Sequence, residues 1–260
     1  MTLVTRIKAL TTCIALLIFF EAIYFRTQFF AAIALPISIV FVLAFLWILG
    51  PDFFYRRELK AKKTILPFLL ILATTFFLFI EPTIVFKQTI IFASVFSIWI
   101  FYAIYRKIPI EDTAESKKLP VQNWLNFLLV LTAFLCFWVI YNFYFAYAMP
   151  LWISMLLVLL ISLILFYYFF WSINIYEKII LPFAALLGLS ILEVFLVLAF
   201  WSTSPTSRSL ILVLTFYILL GLILSRAKNQ LNKARIIEYL IVFLIIFLMI
   251  IFRLNWDRMI

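Results

Sequence analysis

The chain has 260 residues, a length that ordinarily corresponds to a single domain. Apolar residues make up 68% of it and charged residues 12%, against about 45–50% and about 25% in typical soluble domains. This composition excludes a soluble globular protein and a disordered chain, and it indicates a membrane protein with several spans. The net charge of +10 does not indicate nucleic-acid binding, because the basic residues lie in short segments beside apolar runs, where they meet lipid headgroups.

Nine apolar runs are each long enough to cross roughly 30 Å of hydrocarbon as a helix. We therefore predict an all-α bundle of about nine transmembrane helices, in one integral membrane domain covering residues 1–260 with no soluble domain. Barrel strands are excluded because the runs are continuously apolar and do not alternate. If the last run does not cross, the bundle has eight spans. The runs cover residues 7–25, 29–49, 64–81, 87–105, 123–145, 149–171, 179–200, 209–225 and 236–252.

The distribution of Lys and Arg predicts the orientation of these spans. With the N-terminus inside, sixteen basic residues lie on the inner side and five on the outer side. Cytoplasmic loops carry such an excess. We therefore expect a multi-pass protein of the bacterial cytoplasmic (inner) membrane, with the N-terminus in the cytoplasm and the C-terminus outside.

The spacing of the predicted spans suggests a repeated two-span hairpin. Odd-numbered spans begin near positions 7, 64, 123, 179 and 236, and residues 63–68 resemble residues 178–183. Two spans of about 20 residues with short loops produce nearly the same period without duplication. Both explanations remain open at this point.

Glu193 is the strongest candidate for a functional side chain. It lies about 14 residues into the seventh predicted span, or ~21 Å along the helix. A charge near the bilayer centre costs about 2.5–3.5 kcal/mol on insertion scales, so such a residue is a functional candidate by default. Ser190 and Pro182 share its helix face. This combination of small and polar groups suits a contact between helices better than a contact with lipid.

Four further polar residues lie at similar heights in other predicted spans. Glu21 lies near the outer end of the first span, Glu81 ends the third span, and Lys87 opens the fourth. Asn142 lies near the outer end of the fifth span, where an amide commonly bonds a neighbouring helix. Three odd-numbered spans thus each place a glutamate in the predicted outer half of the membrane.

These residues allow a functional and a structural interpretation. In the functional one, Glu21, Glu193 and Glu81 converge on an outward-facing cavity and exchange protons, and Lys87 acts as counter-charge or anion contact. In the structural one, Glu81 pairs with Lys87 across a short turn, and Glu21 extends outward with Arg26. Glu193 then makes a single structural hydrogen bond.

Several kinds of chemistry are excluded by residue counts. The chain has no His, which removes His-ligated haem, zinc sites with His ligands and Ser–His proteases. Two Cys are too few for a cysteine metal cage, and three Gly do not form a phosphate-binding loop. No predicted span contains Asp. We therefore predict no catalytic residue, no metal and no cofactor, and an intramembrane enzyme is the least favoured function.

One segment of about thirty residues has a recognisable arrangement. Glu193 is followed by apolar residues up to Phe200 and Trp201, by the segment Ser-Thr-Ser-Pro-Thr-Ser at 202–207, and by another span. This arrangement resembles uncharacterised multi-pass membrane proteins of small-genome candidate-phyla bacteria. The resemblance points to no named family and assigns no role to any residue.

The sequence thus favours a small secondary permease or permease-like subunit, with Glu193 and Glu21 as its polar centre. The alternative is a structural or assembly subunit of a membrane complex, which contacts another membrane protein or a second copy through its helices. Three Gly in nine spans favour this alternative, since transporter sites usually lie in broken helices. Glutamates that face a solvent-reachable cavity would support transport, and a polar group on the lipid side would support a partner surface.

Overall fold

The computed structural model describes the backbone of residues 11, 13–21, 57–81, 83–105, 115–173, 177–201, 203–227, 232–234, 237–241, 244–245 and 248. Side chains are described over the same ranges, except for residues 57–64, 101–105, 115–122, 177–179 and 227. Within these ranges every regular element is an α-helix and no strand occurs. The predicted all-α fold class is therefore confirmed for the described residues.

Within the described residues, six long helices follow one another, and a helical stretch at 13–21 precedes them. They coincide with six of the nine apolar runs. Helices α1 and α3 begin before their apolar runs, because the charged residues that precede those runs are helical as well. The bounds are α1 Arg57–Ile80, α2 Ile84–Tyr105, α3 Glu115–Ala146, α4 Leu151–Ser172, α5 Glu177–Ala199 and α6 Pro205–Ala227.

Four of the helices are long and apolar enough to cross a membrane, and two further apolar stretches are shorter. A helix satisfies its own backbone hydrogen bonds, so continuous apolar runs form helices in lipid. The count of nine spans and their orientation stay predictions: run 29–49 lies outside the described residues, and runs 7–25 and 236–252 are described only in part. The four long spans are Asn123–Ala146, Leu151–Ser172, Ile180–Ala199 and Pro205–Arg226, and the shorter stretches are Ile65–Ile80 and Ile84–Ile100.

The chain divides into two compact units, Met1–Leu135 and Cys136–Ile260. We call them unit 1 and unit 2. The division falls inside α3, so the first part of this helix belongs to unit 1 and its last turns belong to unit 2. The single membrane domain expected from the sequence stays a prediction.

Unit 1 joins α1 to α2 through buried hydroxyl groups. The Thr74 hydroxyl lies 2.8 Å from the Ser94 hydroxyl and also donates to the backbone carbonyl of Leu70 at 2.7 Å. Both hydroxyl-bearing side chains are completely buried. Because these two hydroxyl groups bond to each other, they link α1 to α2 at a buried position.

Unit 2 is built on the packing of α4 against α5, the most extensive contact between described helices. Gly188 lies at this contact: a methyl group added there would lie 3.5 Å from Leu159 Cδ1 and 3.7 Å from the backbone nitrogen of Leu163. The missing side chain therefore lets the two backbones approach closely. Phe216 of α6 packs against Phe166 of α4, with ring centroids 4.7 Å apart.

We expect the tolerance of position 188 to depend on side-chain size. Gly188→Leu should lower the free energy of unfolding by about 1–3 kcal/mol, because the added atoms overpack the α4–α5 contact. Gly188→Ala should be neutral or stabilising by up to about 1 kcal/mol, since its methyl group meets ordinary contacts. Thermal unfolding in detergent measures both, with Leu189→Ala, at an exposed position, as the control. Equal effects of Ala and Leu would contradict this packing.

Candidate functional site

The side chain of Glu193 is exposed on the surface of unit 2. It lies inside the candidate span Ile180–Ala199, and no hydrogen bond or ion pair holds it within the described part of the chain. The residues around it on α5 are apolar and also exposed: Leu186 by 61%, Leu189 by 50% and Val197 by 71%. Glu193 is thus an isolated carboxylate on an outward-facing apolar surface. We call the exposed residues 186, 189, 193 and 197 the Glu193 face.

The neighbours that share this helix side do not pair with the carboxylate. Pro182 is exposed, and Ser190 is half-buried with its hydroxyl donating to the Leu186 carbonyl at 3.2 Å. The serine therefore satisfies itself within α5. The small and polar side of α5 lies at the surface of unit 2 and not in a seam between its described helices.

Asn142 is half-buried near the end of α3. Its amide nitrogen donates to the backbone carbonyl of Trp138 at 2.9 Å, one turn earlier on the same helix. The hydrogen bond that the structure records for this amide is therefore made within α3, whereas the sequence suggested a bond to a neighbouring helix.

Glu21 makes a contact between elements of unit 1. Its Oε2 atom accepts a hydrogen bond from Nε2 of Gln88 at 3.3 Å, which joins the helical stretch 13–21 to α2. Sequence reasoning did not single out Gln88. The residue beside it, Lys87, is 8% exposed. Unit 1 thus brings a carboxylate, an amide and a basic residue to the beginning of α2.

Glu81 lies in the turn between α1 and α2, where the structural interpretation placed it. Its carboxylate accepts a hydrogen bond from the backbone N–H of Thr83 at 3.2 Å. Lys87 interacts electrostatically with Glu81. A carboxylate at this point also stabilises the beginning of α2 through the helix dipole. Glu21, Glu81 and Lys87 therefore lie in unit 1, whereas Glu193 and Asn142 lie in unit 2, and the convergence of Glu21 with Glu193 stays a prediction.

Arg208, which directly precedes the predicted run 209–225, is a buried charge in unit 2. It is 4% exposed and lies in the first turns of α6. Its Nε atom donates to the Thr203 hydroxyl at 3.2 Å, and its guanidinium carbon lies 3.7 Å from the centroid of the Phe145 ring. Its Nη1 atom is buried and has no hydrogen-bond partner in the structure. Arg208 could have been singled out from the sequence because it is a basic residue near a helix N-terminus, where the helix dipole disfavours cations.

Aromatic residues of α3 lie near this charge and link α3 to α5 and α6. Tyr141, completely buried, donates to the Phe195 carbonyl at 3.4 Å, and the rings of these two residues lie 4.9 Å apart. The indole N–H of Trp138 donates to the Thr206 hydroxyl at 3.1 Å, so α3 is tied to the beginning of α6. The end of α3, the end of α5 and the beginning of α6 thus form one polar and aromatic cluster around Arg208.

The described residues contain no group of three or more Cys, Asp or Glu side chains that would hold a metal ion. Cys13 and Cys136 are free thiols. The absence of a cofactor stays a prediction from the sequence.

The long apolar helices of the described residues indicate an α-helical membrane protein. The chain belongs to the family described as "Protein of unknown function (DUF5656)", whose model matches residues 20–253. Neither a curated protein nor a solved structure matches the chain. The expectation from the sequence that the chain resembles no named family agrees with this result.

Proposed function

We propose that this protein is a structural or assembly subunit of a membrane complex, and that it binds a second membrane protein through the Glu193 face. The observation that carries the proposal is the exposure of Glu193 within an apolar candidate span. If this carboxylate interacted only with other helices of the same chain, we would expect it to be buried.

The position of the Glu193 carboxylate carries an energetic cost. A charged group that faces hydrocarbon near mid-bilayer costs about 2.5–3.5 kcal/mol, and rare residues of this kind normally face protein or water. Within the described residues, unit 2 offers Glu193 no hydrogen-bond donor. A partner helix that supplies a donor at the same depth would remove this cost, while Leu189 and Val197 supply apolar contact above and below.

The Glu193 face also indicates which side chains a partner helix would carry. We expect a transmembrane helix that carries a Lys, Arg, Asn, Gln, Ser or Thr side chain opposite Glu193. Small residues on either side of that donor would fit against the bulky leucines of the Glu193 face. A second copy of this chain is the other candidate occupant.

The continuity of the helices also supports a role as a structural or assembly subunit. Helices α3, α4, α5 and α6 run without interruption through their described candidate spans. Transporter sites are typically formed by discontinuous helices, whose exposed backbone groups bind the substrate. Continuous helices provide contact surfaces instead.

Native mass spectrometry of the protein released from its own membrane in mild detergent tests this proposal. The wild-type chain should carry a second membrane protein in a fixed ratio. Glu193→Leu should weaken that association by about tenfold, because the partner's donor loses its acceptor in a low-dielectric environment. Ser190→Ala is the matched control, since this hydroxyl bonds only within α5. Wild-type protein without a partner, or a Glu193→Leu variant with unchanged association, would contradict the proposal.

A small secondary permease is the second candidate, and the polar contacts of unit 1 favour it. Glu21 bonds Gln88, and the neighbouring Lys87 is buried at the beginning of α2. A carboxylate and an ammonium in such positions are the groups that transporters use for proton coupling.

For a permease we expect proton flux into liposomes that contain the purified protein, followed with a pH-sensitive dye. Glu21→Gln and Glu193→Gln should each abolish the flux while expression and folding stay normal, because an amide does not exchange the proton. Ser190→Ala should keep the wild-type rate. Normal flux in both glutamine variants would remove the permease candidate.

A further inference from the structure

Arg208 is a buried cation whose hydrogen-bonding capacity is only partly used. A guanidinium carries five N–H donors in a fixed plane. The structure records one hydrogen bond from this side chain, from Nε to Thr203, and leaves the buried Nη1 atom without an acceptor. An unsatisfied buried donor on a charged group is costly, and such groups normally have an acceptor.

The described residues around Arg208 contact its guanidinium group but provide no negative charge. The guanidinium carbon lies 3.7 Å from the centroid of the Phe145 ring, and this cation–π contact uses none of the N–H donors. The side chains that interact electrostatically with Arg208 are the phenols Tyr141 and Tyr144, and no carboxylate of the described residues is among them. The counter-charge that a buried arginine requires is therefore missing from the described part of unit 2.

The beginning of α6 adds positive potential and hydroxyl groups at the same place. The Ser204 hydroxyl accepts from the backbone N–H of Ser207 at 3.2 Å, and the backbone N–H of Arg208 donates to the Ser204 carbonyl. Ser204 is thus the N-cap of a 23-residue helix. The N-terminus of a helix attracts anions, and a nearby arginine strengthens this attraction.

Exposed aromatic residues at this end of unit 2 indicate the level of the lipid headgroups. Tyr147 is exposed by 62%, Trp152 by 67% and Phe200 by 78%, all in or beside the two turns at this end. Aromatic side chains of this kind concentrate at the membrane–water interface. A site beside them lies at the depth where lipid phosphates occur.

We infer that the Arg208 guanidinium and the hydroxyl groups of residues 203–207 form a binding site for a phosphate group at this end of unit 2. Arginine is suited to this role because its planar donors match phosphate oxygens two at a time. Thr203 holds the guanidinium in position through Nε. The phosphate belongs either to a membrane lipid or to a soluble anion, and Glu193 takes no part in the site.

Lipid retention in native mass spectrometry and titration with inorganic phosphate together test this inference. Purified full-length protein is delipidated and offered phosphatidylglycerol, or diacylglycerol with the same acyl chains. We expect preferential retention of phosphatidylglycerol, and Arg208→Gln should weaken it by about tenfold because the charge-assisted hydrogen bonds are lost. Arg226→Gln is the matched control, since this exposed arginine lies in the last turn of the same helix.

Two further measurements identify the source of the phosphate and guard against misfolding. Thr203→Val removes the hydroxyl that positions Arg208 and should weaken retention by about threefold, even if Arg208→Gln does not fold. Binding of inorganic phosphate that depends on Arg208, without retention of phosphatidylglycerol, assigns the site to a soluble phosphate. Binding of neither ligand by the wild-type protein, or binding unchanged in a folded Arg208→Gln or Thr203→Val variant, overturns the inference.

Discussion

A charge inside a membrane span has to find a polar partner, because hydrocarbon offers neither hydrogen bonds nor solvation. Three charged residues of this chain differ in how far this requirement is met. Lys87 interacts with Glu81 across the turn between α1 and α2. Arg208 lies against the Phe145 ring and bonds Thr203, but keeps a buried donor without an acceptor. Glu193 faces outward, and the described residues provide it with no partner. The donor of Arg208 and the carboxylate of Glu193 thus point to binding partners outside the chain.

The other polar groups of the helices need no such partner. Several threonine hydroxyls donate to the carbonyl one turn earlier on their own helix, which satisfies them inside the span. The helices are consequently held by close packing, as at Gly188, and by single links such as the one between Thr74 and Ser94. The threonines that bond back in this way are Thr74, Thr75, Thr89, Thr132 and Thr215.

The positions of the helices could be predicted because length and continuous apolarity are properties of the sequence alone. The direction in which each polar side chain points could not be predicted from the sequence. Every face of α5 is formed mainly by apolar residues of the helix itself. No periodic pattern in the sequence therefore distinguishes Glu193, which is exposed, from Phe195, which lies two residues later and is buried. Arg208 lies just outside the predicted run 209–225, whereas α6 begins three residues before it and the folded chain buries it. The number of spans, the orientation and the inner-membrane location stay predictions.

A partner surface on α5 requires that position 193 is exposed, and the oxygen accessibility of a spin label measures this exposure. With Cys13 and Cys136 replaced by Ala, single nitroxides are placed by Glu193→Cys, Val197→Cys and Ile191→Cys in the protein alone in lipid nanodiscs. The label at 193 should collide with oxygen as often as the label at exposed Val197, and far more often than the label at buried Ile191. A collision rate at 193 as low as at 191 would show that the carboxylate faces the interior, and it would contradict a partner surface on α5.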